Sequence, residues 1–429
     1  MQIPIDRYTL ENGLRVVLSE DHTTPVVAVN LWYNAGSRNE VPGKTGLAHL
    51  FEHMMFQGSQ NVGEPGHIAL VERAGGNLNG STWLDRTNYY DTVPSDQLEL
   101  ALWLEADRMG FFLPALTQEK FDNQREVVKT ERRQRVDNQP YGDWDERIQA
   151  MLYPDDHPYH HSVIGSMEDL DAASLDDVRE FFETYYAPNN AVLTLCGDFD
   201  PAEARRLIEA YFGPFPRGPE LPPLPGTPVP EPLKIGREVR ADVEDSKVPL
   251  PRLYMAWRIP PYGAPEYYAA DLLAELLAGG KSTRLYRTAV RERRLARGIG
   301  AFTFPVITGA SAFVIRGNVP AGVDPRALEA AVEEEIGRIA AQGPDAAEME
   351  RAATGLEVRH LLDLQKPSER ADTLSMLTTY FDDPGRINTE LDRYRAVTAD
   401  DVRRLAREYL GADNRAVLTY LQPALQEAA

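Results

Sequence analysis

Apolar and polar positions alternate through residues 8–18, the period of two that sends successive side chains to opposite faces of a strand, and a second strand is expected at 25–33. The period lengthens to that of a helix over about 45–57. It returns to strand spacing at 76–82 and 87–93, and helices follow over about 98–109 and 117–135. The second half repeats the order, with strands at 233–239 and 251–258, a helix over about 266–277, a strand pair at 300–305 and 312–318, then helices. The two halves also close alike. Ser174-Leu175-Asp176-Asp177-Val178-Arg179 opens a helix that reaches Tyr185, followed by Asn190 and a strand from Ala191. Thr398-Ala399-Asp400-Asp401-Val402-Arg403 opens one that reaches Tyr409, followed by Asn414 and a strand from Ala416. Each is a Ser/Thr cap, an acidic first turn, an amphipathic helix and a β-branched strand. Between 214 and 232 lie nine of the chain's 32 prolines, a stiff connector that is neither helix nor central strand. The expected architecture is α+β, two homologous α/β-sandwich domains from an internal duplication: 1–213, a linker at 214–232, and 233–429.

Composition narrows the classes of function. The 429 residues carry 45 Lys and Arg against 66 Asp and Glu, so 45 − 66 = −21 formal charges. Such an excess of acid disfavours phosphate backbones and anionic membranes, and no nucleic acid or membrane partner is expected. Cys196 is the single cysteine, which leaves no internal disulfide and no cysteine-built cluster, so a metal here must use His and carboxylates. No uncharged apolar stretch approaches the roughly 20 residues that cross a bilayer. No basic segment with an apolar core precedes the first strand, which predicts a cytoplasmic protein, or a periplasmic or secreted one numbered without its leader.

The helix near residue 50 reads Gly46-Leu47-Ala48-His49-Leu50-Phe51-Glu52-His53-Met54-Met55-Phe56. Positions i and i+4 share a face, so His49 and His53 can aim at one point with Glu52 beside them. Two neutral imidazoles suit Zn²⁺, whose catalytic sites take three protein ligands and a water. The metal lowers that water's pKa towards about 7, and a carboxylate off the metal can take its proton, the task for which Glu52 is placed. A satisfied pair of core histidines is the plain alternative, at the cost of partners for buried polar groups. Two carboxylates compete as third ligand. Phe121, Gln124, Val128 and Glu131 form one stripe that turns Glu131 inward, with Glu126 nearly opposite as a solvated charge, while Glu105 lies among apolar positions of its own helix. His157, His160 and His161 read as a solvated Pro/Asp loop, and His22 and His67 as turn residues. Gly279-Gly280-Lys281-Ser282-Thr283 follows a helix and lacks the upstream glycine of a phosphate loop, so it reads as a helix C-cap.

His49-x-x-Glu52-His53 is the inverzincin order. With Glu131 inside Arg125-Glu126-Val127-Val128-Lys129-Thr130-Glu131-Arg132-Arg133, it resembles the pitrilysin, or insulinase and mitochondrial processing peptidase, family of zinc metallopeptidases. The resemblance spans essentially the whole chain, duplicated halves included, at the length of the small bacterial members. It implies one half of a clamshell peptidase, with zinc on His49, His53 and Glu131 and Glu52 as base. The strand at Asn79-Gly80-Ser81-Thr82 resembles the edge on which the family lays extended substrates, a mode of binding that uses backbone groups. Two positions depart from the family. Gln124 stands where many members carry a second Glu that orients the site. In the second half Arg291 is kept, but Gly298 stands where active members often place a Tyr for the oxyanion, a donor commonly worth about 10²–10³ in rate.

The expectation is therefore a zinc metalloendopeptidase, a homodimer or a heterodimer with a related subunit that supplies the missing Tyr, acting on extended or unfolded peptides. The acidic charge favours basic ones. The rival readings are a catalytic subunit active only in the heterodimer, a non-catalytic structural partner, and a metal core with another hydrolytic reaction.

Overall fold

The computed structural model describes residues 2–226 and 233–423, and the end of the proline-rich stretch, at 227–232, lies outside the described residues. The first alternating run is two strands rather than one. β1 (Asp6–Thr9) and β2 (Arg15–Glu20) form a hairpin, because Asn12-Gly13 turns the chain between them. Gly13 has φ +93°, the Asn12 side-chain Oδ1 accepts the Leu14 N–H at 3.1 Å, and the Asn12 Nδ2 donates to the Phe212 carbonyl. The chain continues through β3 (Val26–Tyr33), α1 (Leu47–Met54), α2 (Gly66–Arg73), β4 (Asn77–Thr82), β5 (Thr87–Pro94), α3 (Leu98–Phe111) and α4 (Gln118–Arg132). The helix Leu175–Tyr185 then leads into β6 (Ala191–Gly197). The later strands are β7 (Val239–Glu244), β8 (Arg252–Ile259), β9 (Gly298–Phe304), β10 (Ser311–Asn318) and β11 (Arg415–Leu421). β7 starts six residues later than expected. The Ile235 N–H is taken by the Asn414 side chain and Glu238 by Arg240 and Arg415, so the ladder opens only at Val239.

The duplication is written into the sheets. One has the order β1-β2-β6-β3-β5-β4, the other β7-β11-β8-β10-β9, the same sequence of positions without β1. The pairings match in direction as well: β2 with β6 and β7 with β11 are parallel, and every other contact in both sheets is antiparallel. Ser174 and Thr398 both close capping boxes, each worth about 1 kcal/mol to its helix. Asn190 and Asn414 repeat one another too, each donating to the carbonyl of the Tyr that ends the preceding helix, at 2.8 and 2.7 Å.

The chain divides into two compact units whose borders exchange segments relative to a cut at the proline-rich stretch. One holds the described residues of Met1–Thr130, His161–Pro225 and Leu361–Glu390; the other holds those of Glu131–His160, Gly226–His360 and Leu391–Ala429. In the first unit, helix Pro367–Phe381 packs Ala371, Leu374 and Leu377 against Val17, Ala28, Trp32, Val192 and Cys196 of the sheet. The alternate residues of the same strands, among them Val16, Val27, Leu31 and Leu193, face the main core with α1 and α3. Burying one such leucine stabilises the unit by about 1.5–3 kcal/mol. In the second unit, helix Trp144–Leu152 plays the matching part, with Trp144 stacked on Tyr254 at 5.0 Å. Each sheet is thus backed by a helix from the other half of the sequence. Among the described residues no helix is long and apolar enough to cross a membrane.

Candidate metal centre

α1 is only eight residues long and has no side-chain cap of its own. Its N-terminus is held from outside. Glu40 is buried, and its two carboxylate oxygens accept the N–H groups of Gly46 at 2.9 Å and Ala48 at 2.7 Å. Burial pushes the Glu40 carboxyl well above its usual range, while these two N–H groups pull it back. Gly46 is at φ +87°, and a Cβ there would meet the Ile164 carbonyl oxygen at 2.6 Å, so the entry to the helix needs glycine on both counts. Leu47, Ala48, Leu50, Phe51 and Met54 then fill the core and fix the rotation of α1. That rotation leaves His49 and His53 half-buried on one face, their rings 4.7 Å apart between centroids and inclined at 77°.

α4 buries Phe121, Gln124 and Val128 and carries the stripe on to Glu131, which is half-buried. Ligand atoms of His49, His53 and Glu131 all lie within 4.8 Å of one another, the one such group of three among the described residues. Two imidazole nitrogens and a carboxylate oxygen are the donor set of a catalytic zinc site, and the three fit a single small ion. Glu131 also meets the exposed Arg135 at 2.7 Å. The other carboxylates are elsewhere: Glu126 is exposed and pairs with Lys129, whereas Glu105 is buried in an ion pair with Arg108. Asp91 lies beside that pair, and burial first, then the Glu105 charge, raise its carboxyl well above the ordinary value.

β4 is the outer strand of its sheet, paired with β5 on one side only. Side chains alternate along it, and Thr82 donates its hydroxyl to Glu52 Oε2 at 2.6 Å. Thr82, read from sequence as a residue of the substrate edge, is thus also a hydrogen-bond partner of Glu52. Two residues before it, Gly80 lies so close that a Cβ would stand 3.0 Å from the Phe56 ring and 3.2 Å from Glu52 Oε1. Gly80→Ala is expected to displace the Glu52 carboxylate by a few tenths of an ångström with metal content unchanged, and to lower about tenfold any turnover that uses this carboxylate. Steady-state kinetics together with metal analysis checks this, and unaltered kcat would show that the approach is slack.

Several residues sit differently from expectation. His67 is inside α2, not in a turn, and is buried, its pKa pushed down to about 3 by burial with help from Arg108. His157 is not solvated: it is buried, stacks on Tyr153 at 4.7 Å, and accepts the Tyr159 N–H on Nδ1. Pro and Asp in that segment make turns, but the aromatic residues between them fold the turns inward. Gly279 does end a helix, Pro265–Ala278, with its N–H on the Glu275 carbonyl. Arg291 is exposed in the second unit with its guanidinium over Tyr286, and Gly298 opens β9. The role of Glu40 was missed. Its signal was negative, since no Ser, Thr, Asp or Asn directly precedes Leu47 and the cap had to come from elsewhere.

Residues 15–157 match the family model described as insulinase (peptidase family M16), and residues 172–356 match that of the peptidase M16 inactive domain. The chain is 30% identical over 431 residues to zinc protease PqqE of Helicobacter pylori, covering 97% of this chain and 92% of that one. A crystal structure of a protease from Helicobacter pylori matches with a TM-score of 0.90 at 27% identity, over 98% of this chain and 100% of that one. The fold is also that of the periplasmic protease PqqL from Escherichia coli, with a TM-score of 0.76 at 18% identity, covering 98% of this chain but 48% of that one. The chain belongs to peptidase family M16, a family of zinc proteases. All four residues His49, Glu52, His53 and Glu131 fall within the segment matched by the insulinase model.

Proposed function

We propose that the chain is a zinc metalloendopeptidase acting on extended or unfolded peptides, with His49, His53 and Glu131 as metal ligands and Glu52 as general base. One observation carries the reading: three ligand atoms within 4.8 Å, beside a Glu whose carboxylate is tied to an open strand edge. Zinc, when bound, supplies the positive charge that brings a water's pKa towards about 7 and polarises a carbonyl. Glu52 takes the water proton and later returns it to the leaving amine. The Thr82 hydroxyl donates to Oε2 and keeps the carboxylate turned to the strand. β4 receives the substrate as an added strand, through backbone groups that read extension rather than sequence. Buried Gln124, one helical stripe from Glu131, can hydrogen-bond but brings no charge.

With Gly298 where a Tyr would hold the oxyanion, a related second chain supplies that donor in this reading. The match to about half of PqqL supports it, because a molecule of that size takes two chains of this length. The −21 charge favours basic peptides. The test is zinc content and cleavage of quenched basic and acidic peptides by the purified chain, alone and with a co-encoded homologue. One zinc per chain is expected, with cleavage in the mixture that is faster for basic peptides at low salt. Full turnover by the chain alone would remove the need for a partner, and bound zinc without cleavage in any mixture would make it a structural subunit.

A further inference from the structure

On the face of the first sheet turned away from α1, a polar network interrupts the apolar packing of helix Pro367–Phe381. Asp372 of that helix accepts three hydrogen bonds on one oxygen, Oδ1: from Trp32 Nε1 at 2.8 Å, Asn88 Nδ2 at 2.9 Å and Asn30 Nδ2 at 3.3 Å. All three donors are on buried side chains of β3 and β5, so each would be costly to leave unmatched. A carboxylate only accepts, so it fixes the Asn88 amide with its nitrogen towards Asp372 and its oxygen towards the sheet edge. There Asn88 Oδ1 accepts the Ser81 hydroxyl at 2.7 Å and Arg86 Nη1 at 3.2 Å, while Arg86 Nη1 also donates to the Ser81 carbonyl at 2.8 Å. Asn88 is the residue directly opposite Ser81 in the β4–β5 register. Ser81 lies between Gly80, which closes on Glu52, and Thr82, which bonds to it.

We propose that Asp372, contributed by the second half of the sequence, is a positioning residue for β4: by orienting Asn88 it pins Ser81, and with it the strand edge that binds substrate and carries Thr82 to Glu52. If the Asn88 amide turned over, its NH₂ would face the Arg86 guanidinium, donor against donor. The apolar half of helix Pro367–Phe381 holds the sheet together, and Asp372 sets where its outermost strand lies. As a statement about substrate it rests on the peptidase reading; as a statement about β4 it does not.

The experiment compares zinc-loaded full-length wild type, Asp372→Ala, Ser81→Ala and the double variant by hydrogen exchange and by peptide kinetics. Exchange in fragments covering 77–82 is expected to quicken about tenfold in either single variant and no further in the double, because both break one chain of bonds. KM for an extended peptide is expected to rise by a similar factor with a smaller change in kcat, at unchanged zinc content. Asp372→Asn keeps one acceptor oxygen without the charge, so about threefold is expected from it, and it carries the comparison where the alanine variant does not fold. Faster exchange confined to 367–381, or effects of Asp372→Ala and Ser81→Ala that add in the double variant, would overturn the proposal. Wild type that cleaves no peptide in any mixture would sink the peptidase reading alone, since exchange at β4 still decides the role of Asp372.

Discussion

Glu52→Gln is expected to lower kcat by about 10²–10⁴, the usual contribution of a general base, while zinc content stays at the wild-type level. The substitution is isosteric and its remaining carbonyl oxygen can accept the Thr82 hydroxyl, so the strand edge and α1 stay as they are. What disappears is the basicity of the carboxylate. Glu52 is also mostly enclosed, so bulk water has little room to replace it as a base. Turnover of a quenched peptide, measured beside metal analysis on the same preparation, separates the two effects. Activity within about tenfold of wild type would remove Glu52 from the chemistry.

The second large effect is on the metal itself. Glu131→Gln is expected to abolish stoichiometric zinc after dialysis, a loss beyond the roughly 10–100-fold typical of outer-shell changes, with little change in the Tm of the metal-free protein. Glu131 is half-buried at the end of its helix and pairs with the exposed Arg135, an ion pair of the kind that adds little to stability. Glu105→Gln should do the reverse. It breaks a buried ion pair with Arg108, at a cost of about 3–5 kcal/mol, and leaves zinc in place. Zinc stoichiometry and urea midpoints of the two variants decide the matter, and zinc lost from Glu105→Gln but retained by Glu131→Gln would reassign the third ligand.

Helical spacing made most of this centre legible. His49 and His53 share a face by simple geometry, and the stripe Phe121, Gln124, Val128, Glu131 carried a carboxylate inward while leaving Glu126 in solvent. Periodicity could not separate Glu131 from Glu105, since both are inward; what separates them is place, because Glu131 lies with the ligand atoms of His49 and His53 while Glu105 is buried against Arg108. The repeated cap, helix and strand exposed the duplication because capping boxes and β-branched runs are local chemistry. Contacts between distant parts of the chain stayed hidden for the converse reason. Nothing in Glu40 or Asp372 marks either as the partner of α1 or of Asn88, residues 8 to 284 positions away. Nor does the pattern of residues 144–152 or 367–381 say which sheet each will cover.

That exchange of covering helices sets an order of assembly. When the first 213 residues have left the ribosome, the strands of the first sheet can pair and take up α1 and α3, yet the face bearing Trp32, Val192 and Cys196 has no cover until residues 367–381 are made. At roughly 5–20 residues per second the delay is on the order of ten to thirty seconds, during which an apolar sheet face stands open to chaperones or to other nascent chains. Neither half of the gene encodes a finished layer, so a break at the proline-rich stretch would yield two fragments that each carry the other's lid and lack their own.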